Sequence, residues 1–200
     1  MLFDLRMPSA ALILFVLCFV FPIFNYVSIP LFDGYLVKSI EAVQACMLFI
    51  FALFTYIHMR PMQLPQGQKQ FWLWAVLWWV VLLGRSTSWG RDYFPDVPKP
   101  YFRAISVCLI APLVFMLASK ALRQEIARKA RQISVPVWAV LLTIIGLVIS
   151  DSIEHTRLLG AMFVLDNHYK DLMEELYEFP LIVGLFLVAY HIMHQDKQQN

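Results

Sequence analysis

Three apolar stretches of this chain end in side chains that can carry charge or ligate a metal. Phe71–Gly84 runs into Arg85, Ser86, Thr87 and Ser88, and Val135–Ile149 runs into Ser150, Asp151, Ser152, Glu154 and His155. Phe179–Met193 is preceded by Glu174, Glu175 and Glu178. Asp151, Glu154 and His155 stand three and four residues apart, which places them on one face of a helix. His168, Asp171, Glu174 or Glu175, and Glu178 make a comparable stripe on the next. Carboxylate oxygens with an imidazole nitrogen suit a divalent metal, with Asp151, His155 and Glu178 as its expected ligands. Such a metal activates water, or a carboxylate serves as general base, so Asp151, Glu154, His155 and Glu178 form the expected catalytic set. Arg85 and Arg91 are the expected clamp for a phosphate or carboxylate group, with Ser88, Glu174 and Glu175 beside them and Asp92 next in the chain.

The elements that position these groups must cross a bilayer. Of the 200 residues, 60% are hydrophobic and 15% charged, where soluble domains carry about 25% charge; the mean hydropathy is +0.64. Six segments approach the roughly 20 residues that a helical crossing needs: 9–31, 39–58, 71–90, 101–119, 135–154 and 174–194. The expected fold is therefore all-α, a single six-transmembrane-helix bundle over 1–200. The largely apolar parts of the third, fifth and sixth spans are 14, 15 and 15 residues long. Each must recruit its polar flank, which brings an Arg, several acids and a His to similar depth. Ionisable groups there cost about 2.5–3.5 kcal/mol each at the helix centre and tend to pair, so Arg85 is the expected counter-ion. Glu174 and Glu175, close to a helix N-terminus, are also explained by the dipole alone.

Arg6 ahead of the apolar Ala10–Phe24 imitates a signal peptide. The stretch continues through Ile29 without an A-x-A site and is expected to be a retained first helix. The segment 120–134 carries Lys120, Arg123, Arg128, Lys129 and Arg131 against Glu125, which makes it cytoplasmic by the positive-inside rule. With six spans, both termini and the 59–70 loop share that side, which then holds nine of the 16 Lys/Arg and three of the 14 acids. Leu122, Ile126 and Ile133 have helical spacing, so this segment is expected to extend the fourth helix along the surface. It serves either as a topology determinant or as an anionic-lipid contact. No nucleotide-binding loop is visible, and a single basic loop against a membrane does not suit nucleic acid. Cys18, Cys46 and Cys108 lie singly in apolar segments and are expected in the core, without a thiol–disulfide or zinc role. The aromatic run at 71–79 is expected to face lipid. The run 158–165 is too short to span and is expected to lie over the polar cluster, with Asp166 or Asn167 capping the next helix.

Ser88-Trp89-Gly90 and Glu174-Glu175-x-x-Glu178 resemble segments of a group of uncharacterised bacterial polytopic membrane proteins. In that pattern a Glu pair precedes S-W-G; here Arg85 and Ser86 take those places, and the following Gln is missing. The resemblance implies a bacterial inner (cytoplasmic) membrane and no particular reaction.

Three functions remain open on these residues. One is a metal-dependent enzyme acting on a lipid or lipid-linked substrate at the outer leaflet. The second is a non-catalytic membrane partner or sensor, working as a homo-oligomer or beside another membrane protein. The third is a proton- or ion-coupled transporter, for which Asn25, Gln44 and Thr143 are the few polar residues continuing across the midplane.

Overall fold

The computed structural model describes residues 2–199 apart from Ser28, Asp92, Leu158, Leu159 and Leu165. The roles considered for Asp92 and for part of the 158–165 run therefore lie outside the described residues. The chain is all-helical in class, with eight α-helices among the described residues. They are α1 (Ser9–Val20), α2 (Tyr35–Met59), α3 (Gln66–Ser86), α4 (Lys99–Met116), α5 (Lys120–Gln132), α6 (Val137–Glu154), α7 (Gly160–Phe163) and α8 (Lys170–Gln199). Four stretches are long and apolar enough to cross a membrane: Phe32–Gln63, Lys99–Met116, Val137–Glu154 and Asn167–Gln198. The first expected span is shorter. Its α-helix ends at Val20, and Pro22, which has no N–H, sits in the 3-10 turn Phe21–Asn25 that follows. Helix α3 has 21 residues, enough for about 31 Å, and four of them are tryptophan.

Two compact units divide the chain, one formed by residues 1–42 with 134–200 and the other by 43–133. In the first, the short strand β1 (Leu2–Asp4) pairs in parallel with β2 (Ser134–Pro136). The heart of this unit is the α6–α8 seam. A Cβ added to Gly146 would stand 2.5 Å from the Leu181 amide nitrogen and 2.9 Å from the Tyr177 carbonyl oxygen. One added to Gly184 would stand 2.7 Å from Thr143 Oγ1 and 2.9 Å from its amide nitrogen. The two backbones thus meet at glycine on both sides, the small-residue mode of packing that serves where lipid provides no hydrophobic drive between helices. Tyr177, fully buried on α8, donates its hydroxyl to the Cys18 carbonyl at 2.8 Å and fastens α1 to the seam. Phe21 and Phe163 stand edge-on to its ring, each at 5.3 Å. Thr143 turns its hydroxyl back to the Ala139 carbonyl at 2.9 Å, so its polar atom is spent within α6.

In the second unit the aromatic run of α3 departs from the lipid-facing expectation. Trp72 and Trp79 are buried, seven residues apart on one face. The Trp79 indole donates to Thr55 Oγ1 at 3.1 Å, and Trp74 donates to the Leu113 carbonyl at 3.0 Å. A buried indole N–H needs such a partner, and these turn the tryptophans inward; Trp78 keeps an exposed position. The basic segment is a separate helix, α5, because the chain turns at Leu117–Ser119 before it begins. Its inner face carries an ionic group as well as Leu122. Arg128 donates to Glu125 at 2.7 and 2.9 Å, and Lys129 stands 3.2 Å from the same carboxylate. Lys129 also covers the Phe71 and Trp72 rings at 4.5 and 5.2 Å from their centroids. Burial pushes the Glu125 carboxyl up, but the Arg128 hydrogen bonds and the Lys129 charge outweigh it and hold the group below the usual carboxylate range. Cys18 is buried as expected, whereas Cys46 and Cys108 are exposed on their helices. Gln44 is fully buried, and the Asn25 side chain lies outside the described residues.

Candidate functional site

The last turn of α6 brings Asp151, Glu154 and His155 together, with one ligand atom from each within 4.8 Å of the others. The helix ends in a Schellman closure. The Thr156 amide donates to the Ile153 carbonyl at 3.1 Å, and the Arg157 amide reaches back to the Ser152 carbonyl at 2.9 Å. The reversal requires a left-handed residue, and Thr156 occupies it at φ +50°. A β-branched residue there costs about 1–2 kcal/mol. Thr156→Gly is therefore expected to stabilise the protein by roughly 0.5–1 kcal/mol after the glycine's greater unfolded-state freedom is subtracted. The measurement is a rise of about 1–4 °C in the thermal midpoint in detergent.

That reversal throws Arg157 back onto α6, where its guanidinium pairs with Asp151 Oδ2. The other carboxylate oxygen, Oδ1, lies 3.4 Å from His155 Nδ1, which also stands 3.1 Å from the Asp151 carbonyl and 3.9 Å from Glu154 Oε2. Lys170, at the start of α8, donates to the Glu154 carbonyl at 3.1 Å. Acids in the final turn of a helix oppose its dipole, and the two cations offset that. Asp166 accepts from the His168 amide at 2.9 Å and caps the 3-10 turn that opens into α8, as expected. The apolar run before it yields a single helical turn, α7. Gly160 sits there so close to α6 that an added Cβ would be 2.4 Å from the Ser152 carbonyl oxygen. Between α6 and α7 lies a small cavity of about 130 Å³, walled by Ile153, Gly160, Ala161 and Val164 and edged by Asn167 and Lys170.

The remaining expected site residues divide by unit. Glu174, Glu175 and Glu178 are half-buried on α8, and Glu174 is within electrostatic reach of Glu154, Glu178 and Asp171. Glu178 is not among the three groups that converge closely enough for one metal. Arg85, Ser88 and Arg91 belong to the second unit. The cation observed on Asp151 is Arg157. Arg85 is exposed near the end of α3. Ser88 and Trp89 have φ of +48° and +59°, and the Trp89 ring folds over Gly84, where an added Cβ would meet it at 2.5 Å. Ser88-Trp89-Gly90 thus has a structural task, closing the helix end. Arg157 and Lys170 carried no functional expectation. Their signal in the sequence is only that acids precede Arg157 and follow Lys170.

A second polar cluster joins β1 and β2 to α8. Ser134 Oγ lies 3.1 Å from His191 Nε2, and Gln195 donates to the same hydroxyl at 2.8 Å. Among the described residues, the Asp4 carboxylate approaches His191 on that same Nε2, with Oδ2 at 4.0 Å. A hydrolytic triad needs the acid on Nδ1, opposite the nucleophile. This cluster therefore reads as a fastening for the strand pair.

No protein-family model matches the chain, and no curated protein and no solved structure matches it.

Proposed function

We propose that this protein is an integral membrane enzyme that uses a divalent metal at the end of α6 to act on a lipid or lipid-linked substrate. The observation that carries the reading is the convergence of Asp151, Glu154 and His155 beside a mostly apolar cavity. Two carboxylates and an imidazole are a donor set for Zn²⁺ or Mn²⁺ that leaves coordination positions open. Around a four-coordinate ion, donors stand roughly 3.4 Å apart, so these groups must draw in by about 1 Å. Half-exposed side chains can do so by rotation. Arg157 holds Asp151 Oδ2 and thereby aims Oδ1 toward His155, the outer-shell orientation that metal sites depend on. When bound, the metal polarises an ester or phosphoryl oxygen or lowers the pKa of a water. Arg157 and Lys170 offer positive charge to an anionic headgroup, and the Ile153–Val164 wall accepts apolar chain.

The reading includes six crossings, with α1 plus its 3-10 extension and α3 added to the four long apolar stretches. Both termini and the basic α5 side lie in the cytoplasm, which puts the α6 end at the outer leaflet. Transport is the weaker reading, because the α6–α8 seam is closed by backbone contact and Thr143 is internally bonded. A cation-sensing partner is the second, favoured by the exposure of the cluster and by the Arg157–Asp151 pair, which an arriving cation would compete with.

The test titrates purified full-length protein with Mn²⁺ and follows free Mn²⁺ by electron paramagnetic resonance. One ion per chain is expected, with at least tenfold weaker binding in Asp151→Asn and an unchanged thermal midpoint without metal. Equal binding by wild type, Asp151→Asn and His155→Ala would overturn the metal site. Binding without turnover of any lipid ester offered in vesicles would select the sensor.

A further inference from the structure

The second unit gathers seven of its eleven Lys and Arg residues at one end, where α2 stops, α3 starts and α4 passes into α5. Ser119, just ahead of α5, donates to Gln70 of α3 at 2.5 Å. A Cβ on Gly67 would touch the Ala121 carbonyl at 3.5 Å and Glu125 at 3.6 Å. This end carries Arg60, Lys69, Lys120, Arg123, Arg128, Lys129 and Arg131, and its one acid is Glu125. Arg128 and Lys129 are spent on Glu125, as described above. The exposed balance is wholly positive: Arg60, Lys120, Arg123 and Arg131.

Beside this charge, the end of α2 opens a shallow groove of about 260 Å³, lined by Tyr56, Ile57, Arg60, Met62 and Gln63. Ile57 and Met62 are 60% and 62% exposed. The exposure continues along one face of α2 through Leu53 to Ile50, about 10 Å along the helix axis. An apolar stripe that runs up a membrane-crossing helix and ends at a guanidinium has the form of a lipid: chain on the stripe, phosphate on the arginine. Tyr56 supplies the amphipathic ring usual at headgroup depth.

We propose that this groove binds an anionic phospholipid of the bilayer, with its phosphate on Arg60 and its acyl chain along Ile57, Leu53 and Ile50. The exposed α5 cations add long-range attraction for the negative headgroup. This site is independent of the Asp151 cluster and rests only on the chain crossing the membrane. A free phosphate would use Arg60 but have no need of the stripe.

The experiment is native mass spectrometry of the full chain released from neutral detergent, offered equimolar phosphatidylglycerol and phosphatidylcholine. Retention of phosphatidylglycerol is expected to exceed that of phosphatidylcholine at least fivefold. Arg60→Gln should remove about a fivefold factor, the worth of one basic residue at an anionic surface. Arg60→Lys should keep most of it, and Arg103→Gln, at the opposite end of α4, should keep all of it. Equal retention of the two lipids, undiminished selectivity in Arg60→Gln, or an equal loss in Arg103→Gln would overturn the proposal. Displacement of the lipid by millimolar inorganic phosphate would overturn the choice of a lipid as occupant. Because Arg60→Gln leaves every α5 cation in place, the charge that orients the chain is retained.

Discussion

Gly146→Ala is expected to destabilise the protein by about 2–3 kcal/mol, the cost of forcing a methyl group into a seam with no room for it. The contacts at stake are backbone on backbone: the Leu181 nitrogen at 2.5 Å and the Tyr177 carbonyl at 2.9 Å. Neither can swing aside as a side-chain tip would, so α6 and α8 must separate. Separation also loosens the reciprocal contact at Gly184 and strains the Tyr177 bond to Cys18. In detergent the thermal midpoint should fall by about 4–12 °C for a chain of this size. Gly146→Leu should abolish the packed form. Val148→Ala, on the exposed face two residues on, should change the midpoint little. An unchanged midpoint in Gly146→Ala would mean that the two helices do not pack as described.

Gly160→Val should have the larger effect on the candidate site. An added Cβ would stand 2.4 Å from the Ser152 carbonyl oxygen and 2.9 Å from its carbon. That carbonyl is the one that receives the Arg157 amide. Pushing α7 away therefore opens the cavity and disturbs the turn that delivers Arg157 to Asp151. A local cost of about 2 kcal/mol raises the open population roughly 30-fold. Hydrogen exchange at the amides of 156–164 should accelerate by that factor, while the amides of the α6–α8 seam keep their protection. Mn²⁺ binding should weaken even though no ligand has been altered. Retained protection and affinity would show that α7 does not support the cluster.

The parts of this architecture legible in the sequence are those with a local period. Apolar runs of helical length announced α2, α4, α6 and α8 in place, and spacings of three and four announced that Asp151, Glu154 and His155 share a face. Asp166 declared itself as a cap by its chemistry. What was not legible depends on tertiary or left-handed geometry. Arg157 reaches Asp151 because Thr156 reverses the chain at positive φ, and no spacing rule anticipates a threonine there. The tryptophans of α3 looked like a lipid belt because composition cannot tell which indoles find acceptors inside. The strand pair involves three residues on each side, drawn from distant parts of the chain. Arg85 became the expected counter-ion through similar depth alone, whereas the turn at Thr156 brings Arg157 to Asp151.

The same strand pair has a consequence for synthesis. Leu2 meets Ser134, so the closed loop spans roughly 130 residues, at an entropy cost of about 4 kcal/mol plus a constant. A ribosome delivers the chain from its N-terminus, and the middle unit, 43–133, is complete before the first residue of β2 has been made. Until then β1 waits as an open edge, able to accept any extended segment that reaches it. Of these segments, the strand made first is thus among the last to be fastened.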